Sequence, residues 1–308
     1  MYIINKKIKN SFKKNEKLSC NLCGSKSSRL IFIKNGYNLV QCTSCGLVYV
    51  SNPPSKLELK KLYSFESNYH TEIQNESIDF EYWENRARKY YNLIKKYKAR
   101  GRILDIGCSI GFFLKVVKEN GWETHGVEIS KDISDYARNK FGLDVFTGTI
   151  DEIKFPPKFF DVVTMWDFIE HVENPTQAMI ITNKILKDDG ILVLTTPNID
   201  GLFPRLSYMV SKEINYWPHP EPPHHLFQFS KKTIYKLLNK TGFKILNIYD
   251  KRNPIYYLFG GFKSLFRSPY VFLYSAIFIP ITLIGPIVHS GDWVMVIAEK
   301  SHDIVGEL

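Results

Sequence analysis

Cysteine is scarce in this sequence, with five residues among 308, and four of the five lie in two Cys-x-x-Cys pairs. So few cysteines in that arrangement exclude a disulfide framework and favour metal binding in a reducing compartment. The start of the chain also lacks the apolar run that follows the basic residues of a secretory signal peptide. We therefore predict a cytoplasmic protein.

Acidic residues are fewer than basic ones, 31 against 41, and the formal net charge is +10. Half of this excess lies in residues 1–18, where six lysines face one glutamate. This arm is predicted to be a solvated terminus, with contact to an anionic membrane or nucleic acid as the alternative. An apolar content of 44% excludes disorder of the whole chain.

A dinucleotide-binding fingerprint is absent. From Gly107, the G-x-G-x-x-G pattern would need glycine where Ser109 and Phe112 stand. The segment RILDIGCSIGFFL instead carries Asp105-x-Gly107-x-x-x-Gly111 between an apolar strand and an apolar helix. The next strand ends in Glu128, where a carboxylate can accept hydrogen bonds from ribose hydroxyls. This combination predicts an adenosyl ligand with an amino acid end rather than a pyrophosphate.

Strands and helices alternate from Arg102 onward, which predicts an α/β fold with a doubly wound, mostly parallel sheet. Ligands of such sheets bind beyond the carboxyl ends of the strands. Four regions are predicted along the chain: a basic arm at 1–18, a four-cysteine module at 19–50, a helical linker or lid at 51–100, and the α/β domain at 101–308, with an apolar insert at about 251–290.

The two cysteine pairs, Cys20 with Cys23 and Cys42 with Cys45, have the spacing of zinc knuckles. Four thiolates around one tetrahedral ion leave no open coordination position. We therefore predict a structural zinc that stabilises the fold and takes no part in catalysis.

Several motifs together resemble the class I S-adenosylmethionine-dependent methyltransferases. They are LDIGCSIG (104–111), GVEIS (126–130), FDVVTMWDFIEHVENP (160–175), LKDDGILVLTTPN (186–198) and HLFQFSKKTIYKLLNKTGF (225–243). The cysteine pairs ahead of them resemble a bacterial subgroup with an N-terminal zinc-binding module. The resemblance implies a Rossmann-like sheet of seven strands whose last strand, within GDWVMVIAEK, is antiparallel.

The resemblance also implies roles for individual residues. Asp105, Gly107 and Gly111 would hold the methionine end of the donor, and Glu128 would hold its ribose. The other residues expected at the donor site are Cys108 in the glycine loop, Ile129, Thr149 and Ile150 near the adenine, and Trp166 after the fourth strand.

Candidate catalytic residues follow the fourth strand of the α/β domain. Asp167, Glu170 and His171 are spaced to share one helical face, which could bind a divalent ion or orient a base. A similar face occurs in the ubiquinone-type O-methyltransferases, where a metal is implied. The alternative is that Glu170 and His171 only stabilise a turn.

A second candidate pair, His224 and His225, lies in the loop 197–229, which is rich in proline, histidine and aromatic residues. This loop is either a lid facing the substrate, with one histidine as base, or a rigid surface loop with a packed histidine.

The insert contains an apolar stretch, residues 268–290, with no charge from Pro269 to Ile287. We expect Pro280 and Pro286 to break it, and the last strand follows directly, so a membrane span is rejected. The stretch is predicted to pack in the core or at a dimer surface, or else to contact a membrane or a lipid-like acceptor. A peripheral location at the inner membrane face is therefore considered beside the cytoplasm.

We predict an enzyme that methylates an O, N or C atom of a small molecule, a sugar or a lipid-linked intermediate. An RNA-modifying methyltransferase is an alternative, but MWDF stands where many such enzymes have Asn/Asp-Pro-Pro-Tyr. A non-catalytic S-adenosylmethionine-binding protein is another, against which the intact Asp105, Gly107, Gly111 and Glu128 argue.

Overall fold

The computed structural model describes residues 18–63, 79–214, 217–252 and 269–301. Within these ranges the chain folds into a large α/β unit, with a small antiparallel sheet at its N-terminal side. Most of the basic arm and the first part of the apolar insert lie outside the described residues.

The large sheet has seven strands, as predicted. They are β4 (Arg102–Ile106), β5 (Glu123–Glu128), β6 (Asp144–Thr147), β7 (Phe160–Trp166), β8 (Leu186–Pro197), β10 (Phe243–Lys251) and β11 (Trp293–Lys300). Their order is β10-β11-β8-β7-β4-β5-β6. β11 runs antiparallel to both of its neighbours, while the pairs from β8 to β6 are parallel. The predicted fold class and its antiparallel final strand are therefore confirmed.

Helices cover both faces of this sheet. They are α2 (Phe80–Ile94), α3 (Phe112–Glu119), α4 (Lys131–Phe141), α5 (Pro175–Ile185) and α7 (Lys231–Lys240). Side chains alternate along each strand, so one core lies between the sheet and α2, α3 and α4, and the other lies under α5 and α7. Because β4 is parallel to its neighbours β5 and β7, the carboxyl ends of these three strands meet at one edge of the sheet.

The N-terminal region forms a second sheet from β1 (Ser28–Lys34), β2 (Tyr37–Cys42) and β3 (Val48–Val50), followed by α1 (Lys56–Leu62). The fourth strand of this sheet, β9 (Phe227–Gln228), comes from the loop that follows β8 and pairs with β3. Buried module residues Leu22 and Leu47 belong to the same apolar core as α5 and α7. The four-cysteine module is thus built into the α/β unit.

Two further helices, α6 (Leu202–Ile214) and α8 (Pro269–Ile284), pack together beside the start of β11. The expectation that Pro280 breaks the apolar stretch is wrong, because α8 continues through it. Pro280 removes one amide donor but lies on the exposed side, and Pro286 follows the end of the helix. Among the described residues, we find no helix with the length and apolarity needed to span a membrane.

Candidate active site

The loop after β4 is shaped for close approach of a ligand. Gly107 and Gly111 have φ angles of 77° and 87°, in the left-handed region that favours glycine. A Cβ at Gly107 would lie 2.7 Å from the Phe168 ring, and one at Gly111 would lie 2.4 Å from Leu143. Gly111 also begins α3 without a side-chain cap, which leaves the helix N-terminus available to a carboxylate.

Glu128 lies at the end of β5 beside this loop, and its carboxylate is held by two backbone amides. Ser109 N donates to Oε2 at 3.0 Å, and Ser130 N donates to Oε1 at 2.9 Å. Burial raises the pKa of Glu128, while these amides lower it in part. Ser109 itself adopts a left-handed φ of 50°. The carboxylate is therefore fixed in orientation at the edge of the loop.

Asp105 is almost fully buried at the end of β4 and accepts a 2.6 Å hydrogen bond from Thr164 Oγ1. Burial raises its pKa to about 8, and the nearby charge of Glu128 adds to the effect, although the Thr164 bond opposes it. Burial likewise raises the pKa of the Cys108 thiol well above its usual range. Cys108 is thus a buried, unreactive member of the loop in this state.

The residues predicted near the adenine lie just after β5 and β6. Gly148 N donates to the Glu128 carbonyl at 2.9 Å, which places Thr149 and Ile150 beside the end of β5. Thr149 caps a short 3-10 turn together with Glu152, and Ile150 is buried. Ile129 follows Glu128 and is partly exposed.

Trp166 ends β7 and forms an aromatic wall with α2. Its ring stacks on Tyr90 at 4.2 Å between centroids and meets the edge of Phe113 at 5.1 Å. The guanidinium of Arg86 lies over the Tyr90 ring at 5.4 Å. Helix α2, which lies in the predicted helical linker or lid, therefore closes one side of the site.

Asp167 forms an ion pair and is not a free base. Its carboxylate accepts hydrogen bonds from Arg86 at 2.8 Å, Thr195 Oγ1 at 2.7 Å and Trp293 Nε1 at 2.6 Å. Burial alone would raise the pKa of Asp167, but the Arg86 charge and these hydrogen bonds hold it below its usual value. Asp167 thereby ties together α2, β7, β8 and β11.

The expected helical face of Asp167, Glu170 and His171 does not form, because residues 167–171 make a turn. Asp167 has a left-handed φ of 52°, and His171 N donates to the Phe168 carbonyl. A left-handed residue cannot continue an α-helix, so the i, i+3, i+4 spacing no longer places these side chains on one face. Asp167 points to Arg86 instead.

Glu170 and His171 meet the loop residue His225. The rings of His171 and His225 lie 4.7 Å apart, edge to face, and His171 Nε2 lies 4.0 Å from Glu170 Oε1. Each of the three side chains offers one ligand atom, and these atoms lie within 4.8 Å of one another. Glu170 is fully buried, with Oε2 bonded to Thr196 Oγ1 and Oε1 without a hydrogen-bond partner among the described residues.

Backbone and tyrosine contacts surround the Nδ1 atom of His171. Nδ1 lies 3.0 Å from the His224 carbonyl, and a proton on Nδ1 directed at that carbonyl would leave a lone pair on Nε2. Tyr63 after α1 joins this contact, 2.9 Å from Nδ1 and 3.1 Å from the same carbonyl. Burial lowers the pKa of His171 well below its usual value and that of His225 to about 3. Both imidazoles are therefore neutral near pH 7.

The four cysteines of the N-terminal module come together as predicted. Cys20 Sγ lies 3.5 Å from Cys45 Sγ, and Cys23 Sγ lies 3.6 Å from Cys42 Sγ. These separations approach the edge of about 3.8 Å expected for a tetrahedron with 2.3 Å zinc–sulfur bonds. All four sulfur atoms lie within 4.8 Å of one another, so the cluster fits one tetrahedral metal ion.

A family model described as a methyltransferase domain matches residues 82–248, which is more than half of the chain. The chain belongs to this methyltransferase family. The matched span begins in α2 and ends in β10, and so contains the glycine loop, Glu128 and the Glu170–His171–His225 group. The chain is an S-adenosylmethionine-dependent methyltransferase.

Relatives of this methyltransferase include a ubiquinone biosynthesis O-methyltransferase of Rickettsia canadensis, 28% identical over 208 residues, which cover 62% of this chain and 85% of the relative. The protein of the same name from Rickettsia typhi is 28% identical over 174 residues, covering 54% and 68%. A solved structure of an S-adenosylmethionine-dependent methyltransferase from Archaeoglobus fulgidus is 25% identical, with a TM-score of 0.52. That alignment covers 76% of this chain and all of the other.

The structure of the methyltransferase thus separates the predicted site residues into three groups. Asp105, Gly107, Cys108, Gly111 and Glu128 surround one loop, with Ile129, Thr149, Ile150 and Trp166 on the strand ends beside it. His171, His224 and His225 meet at the turn after β7. Asp167 lies in the Arg86 ion pair and does not join the histidines.

Several polar residues of the site were missed by the sequence analysis. They are Lys34, Tyr63, Arg86, Thr195, His219 and Trp293. The contacts of Lys34, Tyr63, Arg86, Thr195 and Trp293 join residues far apart in the sequence, so no local pattern indicated them, while His219 lies in the loop already noted as rich in histidine. One weak signal was Arg86, a cation between Trp83 and Tyr90 on the predicted helix.

Proposed function

We propose that this methyltransferase transfers the methyl group of S-adenosylmethionine to an acceptor on a small molecule, a sugar or a lipid-linked intermediate. The observation that carries the proposal is the Glu128 carboxylate, held by two amides beside a glycine loop. The names of the two Rickettsia relatives support an oxygen atom as the acceptor.

The donor would lie along the carboxyl ends of β4, β5 and β6. Glu128 would accept hydrogen bonds from the ribose, and the loop from Gly107 to Gly111 would hold the methionine end with its amides. Thr149 and Ile150 would border the adenine. When bound, the donor supplies an electrophilic methyl group on a sulfonium, and the chain aligns it with the acceptor.

A hydroxyl acceptor must lose its proton, and the neutral histidines are the candidate proton acceptors. With a proton on Nδ1 directed at the His224 carbonyl, His171 would keep a lone pair on Nε2. His225 lies beside it, and its Nδ1 has no hydrogen-bond partner among the described residues. We therefore assign the proton-accepting role to His171 or His225 and a positioning role to the His224 backbone.

A divalent cation also fits the group formed by Glu170, His171 and His225, which gives this group a second role. A fully buried carboxylate with one unpartnered oxygen next to two neutral imidazoles supports this choice. Such an ion would place positive charge beside the acceptor. Asp167 is not part of this set, because its carboxylate is bound by Arg86, Thr195 and Trp293.

We also propose that the four-cysteine cluster binds a structural zinc ion. Gly24 and Gly46 follow the two knuckles with left-handed φ angles of 73° and 88°, which closes each turn. Burial raises the pKa of Cys20 and Cys45, whereas the amides of Cys45 and Ser44 outweigh burial at Cys42 and lower its pKa to about 6. A closed set of four sulfur ligands would stabilise the module without catalysing a reaction.

Neither alternative from the sequence analysis is favoured. The names of the relatives support a small-molecule methyltransferase over an RNA-modifying one. The intact Glu128 and glycine loop argue against a protein that has lost its donor site.

The first test is calorimetric titration with S-adenosylhomocysteine. We expect the wild type to bind and Glu128→Ala to bind at least tenfold more weakly, about 1.4 kcal/mol, because the ribose loses its acceptor. Glu123→Ala removes an exposed carboxylate at the other end of β5 and is the matched control, expected to bind like the wild type. Absence of binding to folded wild type would contradict the proposal, as would equal binding by Glu128→Ala.

A further inference from the structure

Tyr63, the residue that follows α1, reaches from the N-terminal side of the protein into the histidine group. Helix α1 is fixed at both ends. Ser55 and Glu58 form a capping box at its start, and Leu59 is buried in the core under α5 and α7. Tyr63 N donates to the Leu59 carbonyl at 3.2 Å, and the Tyr63 side chain packs against the same core. The Tyr63 hydroxyl is therefore held in a defined place beside the turn after β7.

Three polar atoms meet at this place, each within hydrogen-bond distance of the other two. The Tyr63 hydroxyl lies 2.9 Å from His171 Nδ1 and 3.1 Å from the His224 carbonyl, and Nδ1 lies 3.0 Å from that carbonyl. The Tyr63 ring also meets both imidazole rings edge to face, at 6.0 and 6.2 Å between centroids. The His171 side chain is only 13% exposed, so these contacts are largely shielded from water.

The protons available to these three atoms favour one tautomer of His171. The His224 carbonyl has no proton to donate, and the Tyr63 hydroxyl has one. If Nδ1 lacked a proton, its lone pair would face the carbonyl oxygen at 3.0 Å with no hydrogen between them. If Nδ1 carries the proton, the imidazole and the hydroxyl can both donate, and the carbonyl has two lone pairs to accept them. The second arrangement satisfies all three groups.

The other nitrogen of the ring then keeps its lone pair on the side of the buried carboxyl group. His171 Nε2 lies 4.0 Å from Glu170 Oε1, and the His225 ring lies 4.7 Å from the His171 ring between centroids. We propose that Tyr63 is a positioning residue of this methyltransferase. Together with the His224 carbonyl, its hydroxyl holds His171 with a proton on Nδ1 and the Nε2 lone pair turned towards Glu170 and His225.

This role of Tyr63 rests on the proposed function, in which His171 accepts a proton or binds a cation. In either case the reacting nitrogen of a histidine is set by the hydrogen bond that its other nitrogen makes. Removal of the hydroxyl would take away a group that contacts both Nδ1 and the carbonyl beside it. The His171 ring would then be held less firmly.

The test is nitrogen-15 NMR of the histidine side chains in the full chain with zinc present at neutral pH. The His171 signals are assigned through their loss in His171→Gln. We expect wild-type His171 to carry its proton on Nδ1, and this proton to exchange slowly with water. In Tyr63→Phe, which keeps the ring, the same proton should exchange about tenfold faster, because it loses a hydrogen-bond partner.

Tyr235→Phe is the matched control, since Tyr235 on α7 is 57% exposed, and its His171 signals should match the wild type. Affinity for S-adenosylhomocysteine equal to that of the wild type would show that Tyr63→Phe is folded. Failure of the wild type to bind this ligand would contradict the proposed donor site, but it would not change the NMR result.

Two results would overturn the role of Tyr63. One is wild-type His171 with its proton on Nε2, a result that does not depend on how Tyr63→Phe folds. The other is folded Tyr63→Phe in which the His171 signals and the exchange of the Nδ1 proton are the same as in the wild type.

Discussion

Two carboxyl groups, Asp105 and Glu128, end neighbouring strands but have different partners. Glu128 accepts two backbone amides, which compensate for part of the cost of its burial. Asp105 has a single neutral donor, the Thr164 hydroxyl, and its pKa is raised to about 8. Asp105 is therefore mostly protonated at pH 7 while the donor is not bound.

The raised pKa of Asp105 makes stability depend on pH at this residue. A carboxyl whose pKa is about 8 when folded and about 4 when unfolded stabilises the fold fully below pH 4, and this contribution is lost as the pH rises through 8. Asp105→Asn mimics the protonated form and keeps the acceptor for Thr164. We expect nearly equal melting temperatures for variant and wild type at pH 4, close to the unfolded pKa. At pH 9 the variant should be more stable by several kcal/mol, because the contribution falls by about 1.4 kcal/mol for each pH unit between the two pKa values.

The measurement is thermal unfolding of both proteins without donor at the two pH values. Asp151→Asn, at an exposed aspartate in the 3-10 turn, controls for the general effect of removing one charge. A wild type as stable as Asp105→Asn at pH 9 would show that Asp105 ionises in the folded state without the expected cost.

Among the secondary-structure elements, the loop segment 217–226, which carries His224 and His225 and is called the histidine loop, depends on strand β1 of the N-terminal module. Lys34 at the end of β1 donates to the carbonyls of Trp217, Pro218 and Pro220 at 2.8, 3.2 and 2.6 Å. Burial lowers the pKa of Lys34 to about 8. Val50 of β3 donates to the Leu226 carbonyl, so both ends of the loop are held by the module.

Lys34→Met should release this loop without affecting the donor site. Three carbonyls would lose their shared donor, a cost of about 1–3 kcal/mol. We expect faster amide exchange at residues 217–226, measured by mass spectrometry, and unchanged affinity for S-adenosylhomocysteine. Lys26→Met, at an exposed lysine just before β1, is the control and should exchange like the wild type. Exchange equally slow in Lys34→Met would mean that β3–β9 pairing alone holds the loop.

For the whole molecule, the four-cysteine module is a part of the main core. Its Leu22, Leu47 and Tyr49 belong to the core under α5 and α7. Asn21 accepts from Thr176 N at 3.0 Å at the start of α5, and Lys240 of α7 donates to the Leu22 carbonyl. Loss of the proposed zinc ion should therefore destabilise the whole described unit.

We expect Cys42→Ser to lose bound zinc and to unfold in one cooperative transition at least about 5 °C below the wild type, equivalent to about 2 kcal/mol. Metal analysis and scanning calorimetry are the measurements. Cys108→Ser, at the fifth cysteine, should keep the wild-type zinc content. A separate small transition for the module, with the main one unchanged, would show that the module is energetically independent.

Local patterns in the sequence determined the strands of the large sheet, the sulfur cluster and the glycine loop beside Glu128. Alternating apolar segments predicted the seven strands, since each must bury one or both faces, and the Cys-x-x-Cys spacing predicted the sulfur cluster. The Asp105–Gly107–Gly111 pattern and Glu128 predicted one loop beside one carboxylate, because the carboxyl ends of neighbouring parallel strands meet at the same edge.

Only the tertiary structure decided which side chains share a charge environment. The left-handed backbone at Asp167 turned that residue towards Arg86 on α2, while the chain after β8 brought His225 to Glu170 and His171. Pairing of β9 with β3 joined the cysteine module to the histidine loop. These contacts join residues that are far apart in the sequence. Burial by such distant residues lowers the pKa of a histidine or raises that of a carboxyl group, and no local sequence pattern indicates it.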